Sequence, residues 1–125
     1  MGVVTLQVLE RAHKEVMALS RPEKGAFYDF LHKFRQNPHA PGLRLKQLKG
    51  DSRLWSARIT DDYRALLLHI EGDDFLVVAV KHRREVYDDL DRYEYRINRV
   101  TGGIEVVDLG VIGDSAVGRL LPPSP

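Results

Sequence analysis

The chain has 125 residues, 43% of them hydrophobic, and its 19 Lys and Arg residues nearly balance 18 Asp and Glu residues, for a formal net charge of +1. This length suits one compact domain, and the near-neutral charge argues neither for nor against a nucleic-acid partner. The absence of cysteine excludes disulfide bonds, a thiol nucleophile and thiolate metal ligands, and favours an intracellular location. We expect neither a signal peptide nor a membrane span, since no long apolar run occurs.

The N-terminal third of the sequence predicts one strand and two helices. The β-branched and apolar run at 3–8 predicts a short strand. Apolar residues recur at helical spacing over 9–19, which predicts a first helix. Ser20 and Glu23 then have the spacing of a capping box, and Pro22 fits only a first helical turn, so a second helix begins here.

The middle of the sequence predicts an antiparallel sheet. Strand-like runs lie at 54–59, 63–70 and 75–80, and the turn-rich segments TDD and EGDD between them are short enough for hairpins. Together with the early elements, these runs give an α+β fold in which an N-terminal strand and two helices pack on one face of a small antiparallel sheet. A short helix and a C-terminal hairpin follow, at about 85–95 and 95–109.

An arginine interrupts the start of the apolar strand at 63–70. Because side chains alternate along a strand, Arg58 points away from the core, and the TDD turn can place Arg64 beside it. Like charges directly opposite each other across two strands repel, so an anion bound there would relieve the repulsion. The alternative interpretation is that Asp61 or Asp62 forms an ordinary surface ion pair with these arginines, which contributes little to stability.

Basic residues concentrate in two segments around these strands. Between Leu43 and Arg64, six basic residues oppose three acidic ones, and a second basic cluster follows the third strand of the sheet. A concave basic face that also has a histidine and a tyrosine could bind an RNA backbone, stack a base and move a proton. The residues expected to bind nucleic acid are Arg44, Lys46, Lys49, Arg53, Lys81 and Arg84. No histidine spacing typical of a zinc site occurs, so we expect no metal and no other cofactor.

The order of four short motifs resembles the RelE/ParE superfamily of bacterial toxin-antitoxin systems. KQLKG is followed by WSARI, then by DYR and then by HRREVY, and the resemblance extends over about 3–93. It implies a RelE-like fold of a strand, two helices and an antiparallel sheet. RelE-like members cut messenger RNA on the ribosome without a metal, whereas ParE-like members act on DNA gyrase. HRREVY resembles the ribonuclease branch more closely.

The resemblance also implies roles for five candidate catalytic residues. Arg64 matches an arginine that stabilises the charged phosphate in the transition state, and Arg58 lies where a basic strand residue is frequent. Arg83 belongs to the later basic element, which neutralises the scissile phosphate, and His82 is a candidate acid or base. Tyr87 matches a tyrosine that packs on the substrate or orients it.

Two departures from the family pattern keep a second hypothesis open. Ser56 stands where some active RelE-like enzymes have a lysine that helps to activate the 2′-hydroxyl, and the chain extends about thirty residues past the usual end. The sequence also resembles the toxin-like N-terminal domain of some actinobacterial UvrD-type DNA helicases, which implies an accessory domain that binds nucleic acid or protein without chemistry. The phosphate-loop motif GxxxxGKS or GxxxxGKT is absent from the sequence.

These resemblances set the expected domain range, partners and location. We expect a RelE-like domain over 1–110, with an extension from about 94, and a linker-like tail at 111–125. A toxin-like domain implies RNA, the ribosome and an antitoxin peptide as partners, and the helicase resemblance implies covalent continuation into a helicase. In either case we expect a cytoplasmic protein that does not contact a membrane.

Overall fold

The described part of the chain forms two compact units. A computed structural model describes residues 4–48, 53–97, 100–101 and 103–109, and the chain divides into the units Met1–Arg84 and Glu85–Pro125. The predicted tail at 111–125 and the candidate residue Lys49 lie outside the described residues, and the predicted range of 1–110 for one domain stays a prediction. Among the described residues, no helix is both long enough and apolar enough to cross a bilayer.

The first unit has the predicted order of a strand, two helices and a meander. Strand β1 (Thr5–Val8) is followed by α1 (Glu10–Met17) and α2 (Arg21–Gln36). The predicted capping box is confirmed, because the Ser20 hydroxyl accepts a hydrogen bond from the Glu23 amide and the Glu23 carboxylate accepts one from the Ser20 amide. After a 3₁₀ turn (Pro41–Leu43) come β2 (Lys46–Gln47), β3 (Leu54–Arg58), β4 (Tyr63–Glu71) and β5 (Asp74–His82).

The five strands form one mixed sheet in the order β1-β5-β4-β3-β2. Strands β3 to β5 are antiparallel neighbours, as predicted. The short strand β2 also pairs antiparallel with β3, whereas β1 pairs in parallel with β5. The connection through α1 and α2 carries the chain from one edge of the sheet to the other, and the remaining strands return one by one toward β1. Residue patterns do not encode the direction in which an edge strand pairs, so the sequence did not predict this parallel edge.

One face of the sheet packs against the two helices. Phe27, Phe30 and Phe34 of α2 are buried. They pack against small and apolar side chains that point from the sheet toward the helices. Burial of a large apolar side chain contributes roughly 1.5–3 kcal/mol, so this cluster is the main source of stability in the unit. The buried cluster includes Val16, Phe27, Phe30, Leu31, Phe34, Ala57, Ala65, Leu67 and Val77.

Helix α1 also covers the edge of β5 beyond the point where β1 ends. Glu15 Oε1 accepts a hydrogen bond from the Val80 amide at 2.9 Å, and Arg11 Nη1 donates to the Val78 carbonyl at 3.2 Å. These side chains satisfy backbone groups of an otherwise unpaired strand edge. Glu15 also forms an ion pair with Lys81. Side chains of α1, rather than another strand, therefore supply the hydrogen-bond partners of this part of the β5 edge.

The second unit contains the predicted short helix and hairpin. Helix α3 (Val86–Arg92) is followed by β6 (Tyr93–Ile97) and β7 (Ile104–Asp108), which pair antiparallel. Tyr95 is buried, and its hydroxyl donates to Asp89 Oδ2 at 2.7 Å. This buried hydrogen bond ties the helix to the hairpin.

Candidate nucleic-acid interface

Three cations form a row across the sheet, on the face away from the helices. Arg58 lies directly opposite Arg64, and Arg64 lies directly opposite Lys81. Ala57 and Ala65, the neighbours of the two arginines, belong to the helix-covered core, so strand alternation directs the three cations to the other face. We call Arg58, Arg64 and Lys81 the basic row. The predicted register, with Arg58 beside Arg64 across the TDD turn, is confirmed.

The turn before Arg64 orients its guanidinium. Arg64 Nη1 donates to the carbonyl oxygens of Thr60 at 2.7 Å, Asp61 at 3.2 Å and Tyr63 at 3.1 Å. The Thr60 hydroxyl in turn accepts hydrogen bonds from the amides of Asp62 and Tyr63, which stabilises the turn. Within the described ranges, no carboxylate pairs with Arg64. The carbonyl groups therefore position its charge without neutralising it.

The surroundings of Arg64 disfavour its charge. Burial, and then repulsion from Arg58, Arg83 and Arg44, lowers the pKa of Arg64 from its ordinary value. A guanidinium nevertheless stays protonated at neutral pH. A lowered pKa means that the protein destabilises the cationic form, and an anion placed beside Arg64 would offset this destabilisation.

Four arginines line an open depression of about 510 Å³ at this end of the sheet. Two of them come from β3 and β4, one follows β5, and one follows the 3₁₀ turn. Two acidic side chains of the turn between β3 and β4 complete the lining, so four positive and two negative groups leave a formal charge of +2. We call this surface the arginine depression; its lining residues are Arg44, Arg58, Asp61, Asp62, Arg64 and Arg83.

The two acidic residues pair with two of the arginines. Arg58 forms an ion pair with Asp61, and Arg83 Nε lies 3.8 Å from Asp62 Oδ1. The side chains of Asp61 and Asp62 are 85% and 59% exposed, and exposed pairs of this kind contribute about 0–1 kcal/mol. An incoming polyanion can therefore displace them. The ion-pair interpretation thus holds for Arg58, whereas Arg64 keeps an uncompensated charge.

Arg44 is brought to the depression by an unusual backbone conformation. Its φ of 47° lies in the left-handed region, and it is the only non-glycine residue with positive φ in the part of the chain that the structure describes. This conformation costs an L-residue roughly 1–2 kcal/mol. The Arg44 amide donates to the Pro41 carbonyl at 3.2 Å, which fixes the bend at the end of the 3₁₀ turn. Because the position has neither glycine nor asparagine, the residue pattern did not predict this bend.

Two predicted site residues at the end of β5 point in different directions. Lys81 belongs to the basic row, but its ammonium group pairs with Glu15 of α1. His82 lies opposite Tyr63, so the strand directs it to the other face from the basic row, and the two ring centroids are 5.5 Å apart. The structure does not bring His82 into the arginine depression. Glu15 is 66 positions before Lys81, and the sequence pattern gave no indication of their pairing.

Lys46 lies on the same sheet face as the basic row. It is exposed on β2, directly opposite Ser56 of β3. Ser56 is only 3% exposed, and it is separated from Arg58 by one residue along the strand. Strand β2 therefore places Lys46 next to Ser56, the position at which some RelE-like enzymes have a lysine.

The remaining candidates are exposed. Arg53 precedes β3, and Arg84 follows β5, where its amide donates to His82 Nδ1 at 3.2 Å. Tyr87 lies on α3 in the second unit and is also exposed. No group of three or more histidine, aspartate or glutamate side chains is placed to hold a metal ion among the residues that the structure describes.

The fold is similar to solved structures of RelE toxins. The archaeal RelE–RelB complex from Pyrococcus horikoshii has 17% identity and a TM-score of 0.55, covering 66% of this chain and 97% of that chain. The toxin-antitoxin complex RelBE2 from Mycobacterium tuberculosis has 21% identity and a TM-score of 0.54, covering 66% and 100%. A mutant of the Escherichia coli toxin RelE in the free state has 21% identity and a TM-score of 0.54, covering 70% and 93%. No protein-family model and no curated protein matches the sequence. The chain has the fold of the RelE-like toxin superfamily.

Proposed function

We propose that the arginine depression binds the backbone of single-stranded messenger RNA and that the domain cleaves this RNA at the ribosome, as a RelE-like endoribonuclease. The observation that carries the proposal is the placement of Arg58 directly opposite Arg64, in a depression with two further arginines. Guanidinium groups match phosphate geometry and can bind it with two parallel hydrogen bonds. Successive phosphates of an RNA strand would use the positive charge that the fold leaves unpaired.

RNA carries its own nucleophile for cleavage without a metal. The 2′-oxygen forms a bond to phosphorus while the bond from phosphorus to the 5′-oxygen breaks, which leaves a 2′,3′-cyclic phosphate and a 5′-hydroxyl. Negative charge grows on the non-bridging oxygens in the transition state, and in this proposal Arg58 and Arg64, which line the same depression, stabilise it. The proton of the 2′-hydroxyl must pass to a base, and Asp61 and Asp62 are the carboxylates that line the depression. The departing 5′-oxygen takes a proton from water.

The roles predicted for His82 and Tyr87 stay predictions. His82 is directed away from the basic row and contacts the Tyr63 ring. We therefore base the proposal on the arginines of the depression. A role of His82 as acid or base is a separate question, which its own substitution can answer.

We further propose an antitoxin-type partner and a cytoplasmic location. Among the proteins with this fold, the one from P. horikoshii was solved as a RelE–RelB complex and the one from M. tuberculosis as the toxin-antitoxin complex RelBE2. A protein that cuts messenger RNA must be controlled where translation occurs. An acidic partner segment would be complementary to the +2 charge of the depression and would compete with RNA.

A binding module without chemistry is the second candidate function. Ser56 is buried and supplies no cation where some RelE-like enzymes have a lysine. Such a module would hold RNA or a protein partner as an accessory of a larger chain, including the helicase that the sequence resemblance suggested.

Cleavage of messenger RNA in a translating extract separates these two candidates. Wild type, Arg64→Ala and the control Arg96→Ala are compared, with cut sites mapped by primer extension. Arg96 is an exposed arginine of the second unit that pairs with Glu94, so it controls for the loss of one surface charge. We expect cleavage by wild type and Arg96→Ala, and a loss of about a hundredfold or more in Arg64→Ala. Folded wild type that binds RNA without cutting it would contradict the endoribonuclease and support the binding module.

A further inference from the structure

We propose that a second cavity, next to the arginine depression, receives one nucleobase of the bound RNA and favours a base with an exocyclic amino group. The proposal rests on the RNA binding proposed above and adds a base-recognition site to it. The cavity lies between α2, the 3₁₀ turn and the end of β3, and none of the candidate residues from the sequence except Arg58 lines it.

The cavity has the size and lining expected for a flat aromatic ligand. Its volume is about 310 Å³, at the lower end of the range of roughly 300–1,000 Å³ that is typical of small-molecule sites. Ala26, Leu43 and Ile59 contribute apolar surface to its walls. A nucleobase has apolar faces and a polar edge, so it buries its faces well in such a site when its edge meets polar groups at the rim.

The cavity and the arginine depression are adjacent and have one lining residue in common. Arg58 lines both of them. The 3₁₀ turn contributes Gly42 and Leu43 to the cavity, and the next residue, Arg44, contributes to the depression. A ligand that places a phosphate beside Arg58 can therefore place an adjoining group in the cavity. A nucleotide has this layout, because its sugar joins the phosphate to the base.

Asp29 and Lys33 line the same cavity and supply polar groups for the edge of a base. They are one helical turn apart on α2, which puts them on the same side of the helix. Neither forms an ion pair or a side-chain hydrogen bond within the part of the chain that the structure describes. Both groups are thus available to a ligand.

The chemistry of these two groups selects among the bases. The Asp29 carboxylate can accept hydrogen bonds from the amino group of adenine, cytosine or guanine, and Lys33 can donate to the neighbouring ring nitrogen or carbonyl oxygen. Uracil has no amino group; its N3–H can donate to the carboxylate, but the two carbonyl oxygens on either side of N3 repel the carboxylate, so this contact is weaker. The lining of this cavity has two cations, Lys33 and Arg58, and one anion, Asp29, whereas the arginine depression has four guanidinium groups. We therefore assign the backbone to the arginine depression and a base to the cavity, whose walls are partly apolar.

Binding of short 2′-O-methyl RNA oligomers to the full chain tests this inference, because these oligomers lack the 2′-nucleophile and stay intact. The probes are an all-uridine octamer and octamers with one central adenosine, cytidine or guanosine, measured by fluorescence anisotropy. We expect at least one of the substituted octamers to bind about five- to tenfold more tightly than the all-uridine octamer, the effect of a good polar contact to a base edge.

Two variants locate the preference in the cavity. Ala26→Leu places a larger side chain in the cavity, and leucine is a good helix former, so α2 is preserved. Asp29→Ala removes the carboxylate that would accept a hydrogen bond from the base. Both should abolish the preference while the affinity for the all-uridine octamer changes less than about twofold, since all four arginines remain. Gly25→Ala is the matched control on α2, because an added Cβ there has no atom within 4 Å, and it should keep the preference.

The outcomes separate this inference from the proposed function. Salt-sensitive binding of the all-uridine octamer that Arg64→Ala weakens, together with equal affinity for all four octamers, would overturn the base site and leave the backbone site standing. A preference that survives both Ala26→Leu and Asp29→Ala would also overturn it. No binding of any octamer by the folded protein would overturn both proposals.

Discussion

Two ends of one sheet face have opposite chemistry. On the face away from the helices, one cross-strand row consists of Leu54, Leu68 and Leu76, and another is the basic row of Arg58, Arg64 and Lys81. The leucines are buried, whereas the cations reach the surface or form an ion pair. On β3 and β4 both rows follow the same strand alternation, whereas on β5 a β-bulge between Val77 and Ala79 brings Leu76 to the same face as Lys81. The change of residue type along these strands, from leucine to arginine or lysine, distinguishes the two ends.

The two rows contribute differently to stability. A fully buried leucine contributes roughly 1.5–3 kcal/mol, whereas like charges directly opposite in a sheet destabilise it by about 0.2–1 kcal/mol. Neutral residues in place of Arg58 and Arg64 would relieve this repulsion but would also remove the hydrogen bonds of Arg64 and the ion pair of Arg58, so the two effects on stability oppose each other. This contrast is what an anion-binding role for the basic row explains.

The largest expected effect is a charge placed in the leucine row. Leu68 is 0% exposed, and Leu68→Asp would bury a carboxylate without a partner, at a cost of about 3–5 kcal/mol or more. Arg64→Met, in the basic row, should change the free energy of unfolding by less than about 1 kcal/mol, because lost hydrogen bonds and relieved repulsion offset each other. Urea denaturation measures the free energy of unfolding of both variants and of wild type. Equal losses in the two variants would mean that the basic row is as structural as the leucine row.

The next effect concerns the salt dependence of RNA binding. Each arginine that contacts a phosphate releases counterions, so Arg58→Met and Arg64→Met should each lower the slope of log K against log salt by about 0.7 for single-stranded RNA. The all-uridine octamer is the probe, measured at four or more salt concentrations. Arg96→Met, in the second unit, should leave the slope unchanged. A weaker affinity with an unchanged slope would show that these arginines position the RNA indirectly rather than bind its backbone.

The sequence predicted the parts of this arrangement that depend on local patterns. Strand alternation placed Arg58 and Arg64 on the face away from the core, and the spacing of Ser20 and Glu23 predicted the start of α2. The left-handed conformation of Arg44 was not predicted. The same holds for the parallel pairing of β1, the Glu15–Lys81 ion pair and the cavity beside α2. These features depend on contacts between segments that are distant in sequence, and no local pattern encodes them.

A smaller effect tests the acidic residues of the arginine depression. Asp61→Asn removes the carboxylate that pairs with Arg58, so the depression gains one unit of positive charge. The exposed pair contributes little, and we expect affinity for the all-uridine octamer to rise by about threefold. If Asp61 also accepts the 2′-hydroxyl proton, cleavage in the translating extract falls while binding rises. Asp73→Asn, in the turn between β4 and β5, is the control. Weaker binding by Asp61→Asn would show that the pair orients Arg58 for the ligand.

The smallest expected effect concerns Lys46, at the edge of the basic surface. Lys46 lies directly opposite the buried Ser56. We therefore expect Lys46 to supply the positive charge that a lysine at the position of Ser56 would supply in some RelE-like enzymes. Lys46→Met should reduce cleavage about two- to fivefold, the size of a single exposed charge contact, without lowering the melting temperature. Lys14→Met, on the exposed side of α1, controls for the loss of one charge.

Ser56→Lys should not rescue Lys46→Met, because a lysine at this buried position would lose its hydration and destabilise β3. Rescue by Ser56→Lys would instead mean that β3 can open its surface toward the RNA, and that the lysine of the family pattern and Lys46 are interchangeable.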